Sequence, residues 1–318
     1  CGTTATGATS PASLRKKRRN ASRTPNRVSA PESATQTSIP RWNSPRNSLR
    51  SGAMIESSRN EAIKTLRRIR RTRGAEAVLE GPHLVLEALA AGIRLQPVLA
   101  TAEFLATEAG QEVAARLPRP PLLATGAALE ALADADSPRG LVAACSLPRP
   151  GLAGIRPSSG DIWLYLDGIQ DPGNLGALAR VAEGLGAAGL VLSPGCADPN
   201  HSRALRASAG SLLRLPVAVQ AAAEAARERF AGIGARVRWI GLEAHQGSIP
   251  LHRLSPADGE GAITVLVLGA EGPGLSAATR ALLDVAVTIP LRGRLESLNV
   301  AVAAALVLAR LVPPLTPP

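Results

Sequence analysis

The stretch "IWLYLDGIQDPGNLGALARVAEGLGAAGLVLS", residues 162–193, decides the fold class of this chain. It begins with a continuous apolar run at 162–167 and ends with another at 190–193, and apolar residues at helical spacing lie between them. Unbroken apolar strands that alternate with helices are typical of a parallel sheet covered on both faces. The stretch therefore predicts a strand, a helix and a second strand of an α/β fold.

The same alternation continues on both sides of this stretch. Downstream strands are predicted in "RVRWIGL" (236–242), "ITVLVLG" (263–269) and "AVTIPL" (286–291), and helices in 218–234, in 277–285 and from Leu298 onward. Upstream, a helix is predicted behind Ile55, a turn and helix in 80–92, and strands in 95–101 and 140–147. We therefore expect two α/β units, the smaller one first.

Composition sets the expected boundaries between these units. Residues 1–53 are rich in Ser, Thr, Pro, Asn and Arg, with almost no aliphatic residues, which predicts a disordered basic tail. Residues 54–147 form the smaller unit, residues 148–160 are a linker rich in Pro, Gly and Ser, and residues 161–318 form the larger unit. Two interpretations of the tail stay open, namely an extension upstream of a natural start at Met54 or an arm that holds RNA.

Most of the net charge of +11 belongs to that tail. Residues 1–53 carry ten Lys/Arg and one Glu, which leaves 36 − 10 = 26 basic and 25 − 1 = 24 acidic residues, or +2, for the rest. Seven basic residues between Arg59 and Arg73 nevertheless make one helix of the smaller unit a candidate for contact with phosphates.

Other patterns argue against several classes of protein. The three cysteines are widely spaced and form no C-x-x-C pair, so we expect a reduced, cytoplasmic chain that binds no metal. No apolar run reaches the ~18 residues that suggest a membrane span, and no apolar stretch follows the N-terminal charges as in a secretory signal. We therefore expect no membrane partner.

Three Gly-rich polar loops follow the predicted strands, in "DGIQDPGNLGALAR", "GAEGPGLS" and "PLRGRLESLN". Ligands of open parallel sheets bind beyond the carboxyl ends of the strands, so the three loops predict one composite site. By contrast "GLGAAG", residues 184–189, closes a helix and precedes a strand, whereas a dinucleotide fingerprint must follow a strand. We interpret it as a helix C-cap and tight turn.

The loops also carry a resemblance to a known family. "DPGNLGALAR", "LVLGAEGPGLS" and "IPLRGRLESLNVAVA" resemble, in order and spacing, the three motifs of the SpoU (TrmH-like) family of RNA 2′-O-ribose methyltransferases, and the likeness covers about 54–312. It implies a C-terminal parallel-sheet domain with a deep trefoil knot that holds S-adenosylmethionine. It also implies a smaller N-terminal α/β domain that binds RNA, and a homodimer formed through the C-terminal domain.

The resemblance assigns roles to residues of this sequence. The implied catalytic residues are Asn174, Arg180, Glu271, Ser297 and Asn299, and the implied cofactor-binding residues are Leu268, Gly269, Gly272, Ile289, Leu291 and Leu298. We expect contacts to RNA from Arg67, Arg68, Arg71, His83, Arg206 and Ser208. The sequence departs from the family pattern at Ala301 and at Asn200-His201, which lie beside the motifs.

The chemistry of these side chains narrows some roles and leaves others open. The pKa of Arg, above ~12, makes a neutral guanidine an improbable base, so we expect Arg180 to clamp a phosphate and stabilise the ribose alkoxide. Asn174 is expected to orient Glu271, which either caps backbone N–H groups of its own loop or contacts substrate. Ser297 is expected to be the N-cap of the last helix and to line the site.

Ribosomal RNA is the expected substrate and tRNA the alternative. A non-catalytic RNA-binding or ribosome-assembly protein of the same fold is the competing function, and the presence of all five implied catalytic residues favours the enzyme.

Overall fold

The structure is a computed structural model that describes residues 54–132, 140–245, 247–255, 261–292, 294 and 297–312. The predicted basic tail, residues 1–53, lies outside the described residues, so both interpretations of it stay predictions. None of the helices in the described ranges combines the length and the apolar character that crossing a bilayer requires.

The first part of the chain builds a four-stranded sheet with helices on its faces. Its elements are α1 (Glu61–Arg71), β1 (Glu76–Glu80), α2 (Gly81–Ala90), β2 (Leu95–Ala100), α3 (Ala102–Leu105), α4 (Glu108–Arg116), β3 (Leu122–Leu123), α5 (Gly126–Glu130) and β4 (Leu141–Ser146). The strand order is β1-β4-β2-β3, with β4 antiparallel to both neighbours and β3 parallel to β2. The strand β1 was not predicted, because its three apolar residues stand between two glutamates.

The second part builds a seven-stranded sheet. Its elements are β5 (Ile162–Asp167), α6 (Pro172–Gly184), β6 (Gly189–Leu192), α7 (Ser202–Ala207), α8 (Ser211–Arg214), β7 (Val217–Ala218), α9 (Ala223–Ala231), β8 (Val237–Leu242), β9 (Ile249–Pro250), β10 (Ile263–Gly269), α10 (Ala277–Arg280), β11 (Val285–Thr288) and α11 (Val300–Leu311), and short 3-10 turns cover Leu152–Gly154 and Leu251–Arg253. The strand order is β7-β6-β5-β10-β8-β11-β9, and every pair is parallel. The predicted parallel sheet is confirmed, and the trefoil knot stays a prediction.

Both faces of the larger sheet are buried, which explains why its strands read as continuous apolar runs. Side chains alternate along β5, so Trp163 and Tyr165 face one core while Leu164 and Leu166 face another. On the first face the Trp163 ring meets Phe230 edge-on at 5.8 Å between centroids, and Tyr165 lies 5.4 Å from Trp239. Aromatic pairs at such distances add about 0.5–1.5 kcal/mol beyond the burial of their area.

One apolar cluster contains residues from both sheets, and buried polar contacts also join the two sheets. Asn200 is 6% exposed, and its Nδ2 donates to the carbonyls of Gly74 at 2.8 Å and Leu147 at 2.9 Å. Its Oδ1 accepts from Nε of Arg149 at 2.8 Å. Every polar atom of this amide is therefore used where the two sheets meet, which gives Asn200 a structural role at a position that departs from the family pattern.

Several predicted element ends differ from the observed ones. The helix expected over 218–234 is the short strand β7 followed by α9, and the helix expected over 277–285 is the single turn α10. The interpretation of residues 184–189 is confirmed, because α6 ends at Gly184 and Gly186 makes the turn with φ of +77°. Only glycine adopts that backbone conformation without strain.

Candidate active site

The three Gly-rich loops come together at one edge of the larger sheet, as predicted. A cavity of about 380 Å³ opens there between the segments that follow β8, β10 and β11. Its lining includes all six residues expected to bind cofactor, namely Leu268, Gly269, Gly272, Ile289, Leu291 and Leu298, and also Glu271 and Ser297. The register explains the convergence, because Gly269 pairs with Asp167 and the loops after β10 and β5 therefore begin side by side.

The loop after β10 folds back tightly on its own strand. Ala270 and Gly274 form an antiparallel bridge, and Gly272 and Gly274 have φ of +92° and +70°. A Cβ on Gly269 would lie 2.3 Å from the backbone carbon of Gly274, so a larger residue cannot be accommodated without moving the loop. The neighbouring loop is tied to this one, since the Asp167 carboxylate accepts the backbone N–H of Ser276 at 2.8 Å.

Three polar side chains from three separate segments meet in a hydrogen-bonded cluster, which we call the polar cluster: Asn174, Glu271 and Asn299. The Nδ2 of Asn174 donates to Oε1 of Glu271 at 3.0 Å, and the Nδ2 of Asn299 donates to Oδ1 of Asn174 at 2.9 Å and to the same Oε1 at 3.3 Å. Of the three, Glu271 lines the cavity, and Asn174 and Asn299 lie outside its lining, so the cluster reaches the cavity through Glu271. Asn174 and Glu271 are 97 positions apart in the sequence, and Asn174 and Asn299 are 125 apart, yet their side chains are in direct contact.

Helix starts hold two members of the polar cluster in place. The Asp171 side chain caps α6 by accepting the backbone N–H of Asn174 at 2.8 Å, and Pro172 begins that helix. Asn299 is the N-cap of α11, since its Oδ1 accepts the N–H of Ala301 at 3.0 Å. The amide of Asn299 thus caps the helix with its oxygen and joins the cluster with its nitrogen.

The structure contradicts the expected cap at Ser297 and one of the two alternatives for Glu271, while contact of Glu271 with substrate stays a prediction. Ser297 is not the N-cap of the last helix, because α11 begins at Val300 and the residue directly before it takes that role. Ser297 is exposed and lines the cavity. Glu271 does not cap backbone N–H groups of its own loop in the described structure, since its hydrogen bonds come from the side chains of Asn174 and Asn299.

Arg180 is not part of the polar cluster. It lies six residues beyond Asn174 on α6, which is about 9 Å along the helix axis at 1.5 Å per residue. Its side chain is exposed, lies outside the cavity lining, and makes no hydrogen bond or ion pair with any described residue. The guanidinium is therefore available to a partner outside the chain.

The six residues expected to contact RNA fall into two groups. Arg68, Arg71 and His83 are exposed, and Arg67 is half-buried with Nη2 donating to the carbonyl of Ala131 at 3.3 Å. Arg68 also pairs with Glu76 at 2.9 Å, in an exposed ion pair that contributes at most about 1 kcal/mol. These four side chains lie on the surface of the smaller sheet's unit.

The other two, Arg206 and Ser208, make contacts within the fold. Burial contradicts the expected RNA contact of Ser208, whereas that of Arg206, whose side chain is 30% exposed, stays a prediction. The Ser208 side chain is fully buried, and its hydroxyl donates to the carbonyl of Leu205 at 2.8 Å. Nη1 of Arg206 donates at 2.7 Å to the carboxylate of Glu80, which is 6% exposed and also pairs with Arg70. A buried carboxylate needs such cations, so Arg206 joins the two sheets.

Motif reasoning missed one carboxylate of the cavity. Glu243 lines the cavity directly after β8, and Nε of Arg280 donates to it at 2.6 Å. Its position in the sequence could have identified it, because Glu243 directly follows the end of β8, a parallel strand that borders β10 and β11.

Neither a reactive thiol nor a group of metal ligands is found among the described residues. Burial raises the pKa of Cys145 to about 12 and also raises the pKa of Cys196, so both thiols stay neutral at physiological pH. Within the ranges the structure covers, no three His, Cys, Asp or Glu side chains come together as a metal site would need.

Known proteins share both the sequence and the architecture. The model of the SpoU rRNA Methylase family matches residues 161–309. The chain is 30% identical over 269 residues to the 23S rRNA (guanosine(2553)-2′-O)-methyltransferase RlmP of Bacillus subtilis, across 81% of this chain and 98% of that protein. It is 32% identical over 263 residues to an uncharacterised tRNA/rRNA methyltransferase of Synechocystis, across 80% and 92%.

Solved structures give the same result. The SpoU methyltransferase AviRb of Streptomyces viridochromogenes, in complex with the cofactor AdoMet, superposes with a TM-score of 0.70 at 26% identity, across 79% of this chain and 97% of that one. An AdoMet-bound rRNA methyltransferase of Sinorhizobium meliloti superposes with a TM-score of 0.68 at 25% identity, across 81% and 96%. On the sequence, the fold and the convergent loops together, the chain belongs to the SpoU rRNA methylase family.

Proposed function

We propose that this protein transfers a methyl group from S-adenosylmethionine to a ribose 2′-hydroxyl of RNA. The observation that carries the proposal is the polar cluster, in which Asn174, Glu271 and Asn299 join at the wall of the 380 Å³ cavity. Family membership supports it, because RlmP is named as a 2′-O-methyltransferase and AviRb is solved with AdoMet.

The cavity lining fits S-adenosylmethionine. The aliphatic side chains of Leu268, Ile289, Leu291 and Leu298 offer apolar walls for an adenine ring, and the Gly269–Gly274 turn lets the backbone approach closely. The carboxylate of Glu271, whose partners are the neutral amides of Asn174 and Asn299, favours a cationic ligand there. When bound, the cofactor supplies an electrophilic methyl group on a positively charged sulfur.

The polar cluster would position the reacting ribose. Methyl transfer needs the ribose oxygen in line with the sulfonium methyl, so correct placement removes a large part of the barrier. In the cluster Glu271, which lines the cavity, accepts from the amides of Asn174 and Asn299, so its carboxylate is held in place before substrate arrives. Ser297 adds a hydroxyl to the same wall.

Arg180 would act on the RNA rather than on the cofactor. A guanidinium offers hydrogen-bond donors and a positive charge and no acceptor, so Arg180 serves as a donor and not as a base. It can hold a phosphate of the RNA and stabilise the negative charge that develops on the ribose oxygen, with the proton released to water. Its exposure and its lack of a partner among the described residues support this role.

Ribosomal RNA in the cytoplasm is the substrate that we propose. RlmP, which is similar over nearly its whole length, is named for 23S rRNA. The exposed cations Arg68, Arg71 and Arg73 on and just after α1 would contact RNA phosphates from the smaller sheet's unit.

The active form that we propose is a homodimer paired through α11. Val302 and Leu306 on that helix are 51% and 43% exposed, and large exposed aliphatic side chains four residues apart lie on one helix face. Pairing of two copies would remove this apolar face from water.

The test uses purified protein, unmodified ribosomal RNA transcribed in vitro, and S-adenosylmethionine with a labelled methyl group. We expect label in dinucleotides that resist alkaline hydrolysis, because a 2′-O-methyl group blocks cleavage of the next phosphodiester. A Glu271→Gln variant, similar in shape and without the charge, serves as the control. Label on a base, or no transfer to any RNA, would contradict the proposal.

A further inference from the structure

A second cavity, which we call the junction cavity, lies where the two sheets meet. It measures about 330 Å³, within the range of roughly 300–1,000 Å³ typical of small-molecule sites. One wall comes from Arg73 and Arg149, and the other from residues that follow β6 and β7, including Ser193, Asp198, Val219 and Gln220. The cavity lined by Gly269, Glu271 and Leu298 is here called the cofactor cavity. Because β7, β6, β5 and β10 are parallel neighbours, the junction cavity and the cofactor cavity open at the same edge of the larger sheet.

The lining of the junction cavity combines apolar walls with a cation and a carboxylate. Pro148, Leu192 and Pro199 supply apolar surface. Burial lowers the pKa of Arg149 to about 10, and the nearby Asp198 opposes that shift, so the guanidinium stays charged at neutral pH. Nucleobases combine a flat apolar face with an edge of donors and acceptors, so this lining suits a base.

Gln220 at this cavity has a strained backbone. Its φ is +57°, and within the described part of the chain the only other residue besides glycine with positive φ is Ala209, at +48°. Side chains rarely adopt this conformation, and such strain is concentrated at ligand sites. The Gln220 side chain is exposed at the cavity and offers an amide that can both donate to and accept from a base edge.

The junction cavity also lies between the basic surface and the polar cluster. Arg73, which follows the cations of α1, forms part of its lining. On the other side, β6 borders β5, and the helix after β5 carries Asn174 and Arg180. An RNA strand held by α1 with its ribose at the polar cluster would pass this cavity.

We propose that the junction cavity binds one base of the RNA substrate, close to the ribose that is methylated, and that Gln220 hydrogen-bonds to that base. This inference rests on the proposed function and adds a substrate-binding subsite to it. Gln220 is a binding residue, and the cofactor cavity does not include it.

The test compares Gln220→Gly with Ala209→Gly in the full chain. Glycine adopts positive φ without strain, so both variants should keep or slightly raise the thermal midpoint. Only Gln220→Gly removes a polar side chain from the junction cavity. Fluorescence anisotropy with a labelled single-stranded RNA of mixed sequence should show Gln220→Gly binding about tenfold more weakly, the effect of a lost hydrogen bond to a buried partner. Ala209→Gly should bind like the parent protein.

The kinetic readout separates this subsite from a general loss of function. In methyl transfer, Gln220→Gly should raise KM for RNA and keep kcat, while the affinity for S-adenosylmethionine measured by calorimetry stays unchanged. Equal RNA affinity in Gln220→Gly and the parent protein, or an equal loss in both glycine variants, would overturn the proposal. A parent protein without methyl transfer would contradict the proposed function alone, because the affinity comparison needs no turnover.

Discussion

The carboxyl edge of the seven-stranded sheet and the outer surface of the four-stranded unit hold polar residues in opposite ways. At the sheet edge, Asn174, Glu271 and Asn299 come from distant segments and bond to one another. On the smaller unit, Arg68, Arg71 and His83 are exposed, and they line neither the cavity beside Glu271 nor the junction cavity. The first arrangement suits a fixed reaction geometry, and the second suits attraction of a polyanion whose position can vary.

This contrast shows which residues can be predicted from the topology of a sheet. Parallel strands bring their following loops to one edge, so loop residues can be grouped before any coordinates exist. Surface cations have no such constraint, and a basic residue can equally be an internal ion-pair partner, as Arg206 is for Glu80.

Replacement of Arg180 should give the largest effect, and it tests whether the sheet-edge site extends beyond the polar cluster. Arg180→Ala should lower the rate of methyl transfer by about 10²-fold or more, the size of a lost preorganised donor to the transition state. The affinity for S-adenosylmethionine, measured by calorimetry, should change only a few-fold because Arg180 lies outside the cofactor cavity.

Arg180→Lys sharpens the same test. Lys keeps the charge and loses the planar fork that can grip a phosphate and the ribose oxygen together, so it should fail almost as badly as Ala. A near-normal rate would show that positive charge alone was needed. A loss of cofactor affinity would place Arg180 in the other half of the site.

Gly269→Ala should give the next largest effect, on cofactor binding. The added Cβ would lie 2.3 Å from the Gly274 backbone, so the loop that lines the cavity must move. We expect S-adenosylmethionine to bind at least about tenfold more weakly, as for a misplaced binding group. Gly184→Ala is the matched control, because it meets nothing within 4 Å at the end of α6. Equal affinities of the two variants would disprove the loop's role.

Asn299→Ala and Ser297→Ala compare a cap with a lining residue. Asn299→Ala removes the cap of α11 and should lower the free energy of unfolding by about 1 kcal/mol, whereas Ser297→Ala should leave it nearly unchanged. Denaturant melts give both values. A larger loss for Ser297→Ala would restore Ser297 as the helix cap.

Arg71→Ala and Ser208→Ala should show the smallest effects and test the surface side of the comparison. Arg71→Ala should weaken RNA binding a few-fold and reduce the slope of log affinity against log salt by about one, as for one lost phosphate contact. Ser208→Ala should leave RNA affinity and its salt dependence unchanged, because that hydroxyl is buried. RNA binding that depends on Ser208 and not on Arg71 would reverse the comparison.

Sequence predicted the elements that are long or strongly apolar and the residues grouped by the parallel sheet. β5, β10 and the three loops needed only an apolar run followed by glycine and polar residues. β1 was missed because flanking glutamates hide a short strand, and only its tertiary pairing with β4 identifies it as part of the sheet. The turn α10 was predicted too long because Leu282 and Leu283 pack on the core while their backbone N–H groups bond to carbonyls three residues back, not four as in an α-helix.

The details of the site depended on tertiary geometry. The observed helix α11 begins at Val300, so its cap is Asn299 and not the expected Ser297. Both are residue types that cap helices, and the local sequence does not distinguish them. Glu271 accepts hydrogen bonds from the amides of Asn174, 97 positions away in the sequence, and Asn299, 28 positions away. No local sequence pattern specifies such contacts. Burial of Ser208 likewise follows from the packing of α7 on α6.

A crystal structure with S-adenosylhomocysteine, the product that remains after methyl transfer, tests the central claim most directly. We predict the ligand in the cavity lined by Leu268, Gly269, Ile289 and Leu298, with its sulfur facing the polar cluster. Occupancy of the junction cavity instead, or a sulfur that faces away from Asn174, Glu271 and Asn299, would contradict the account.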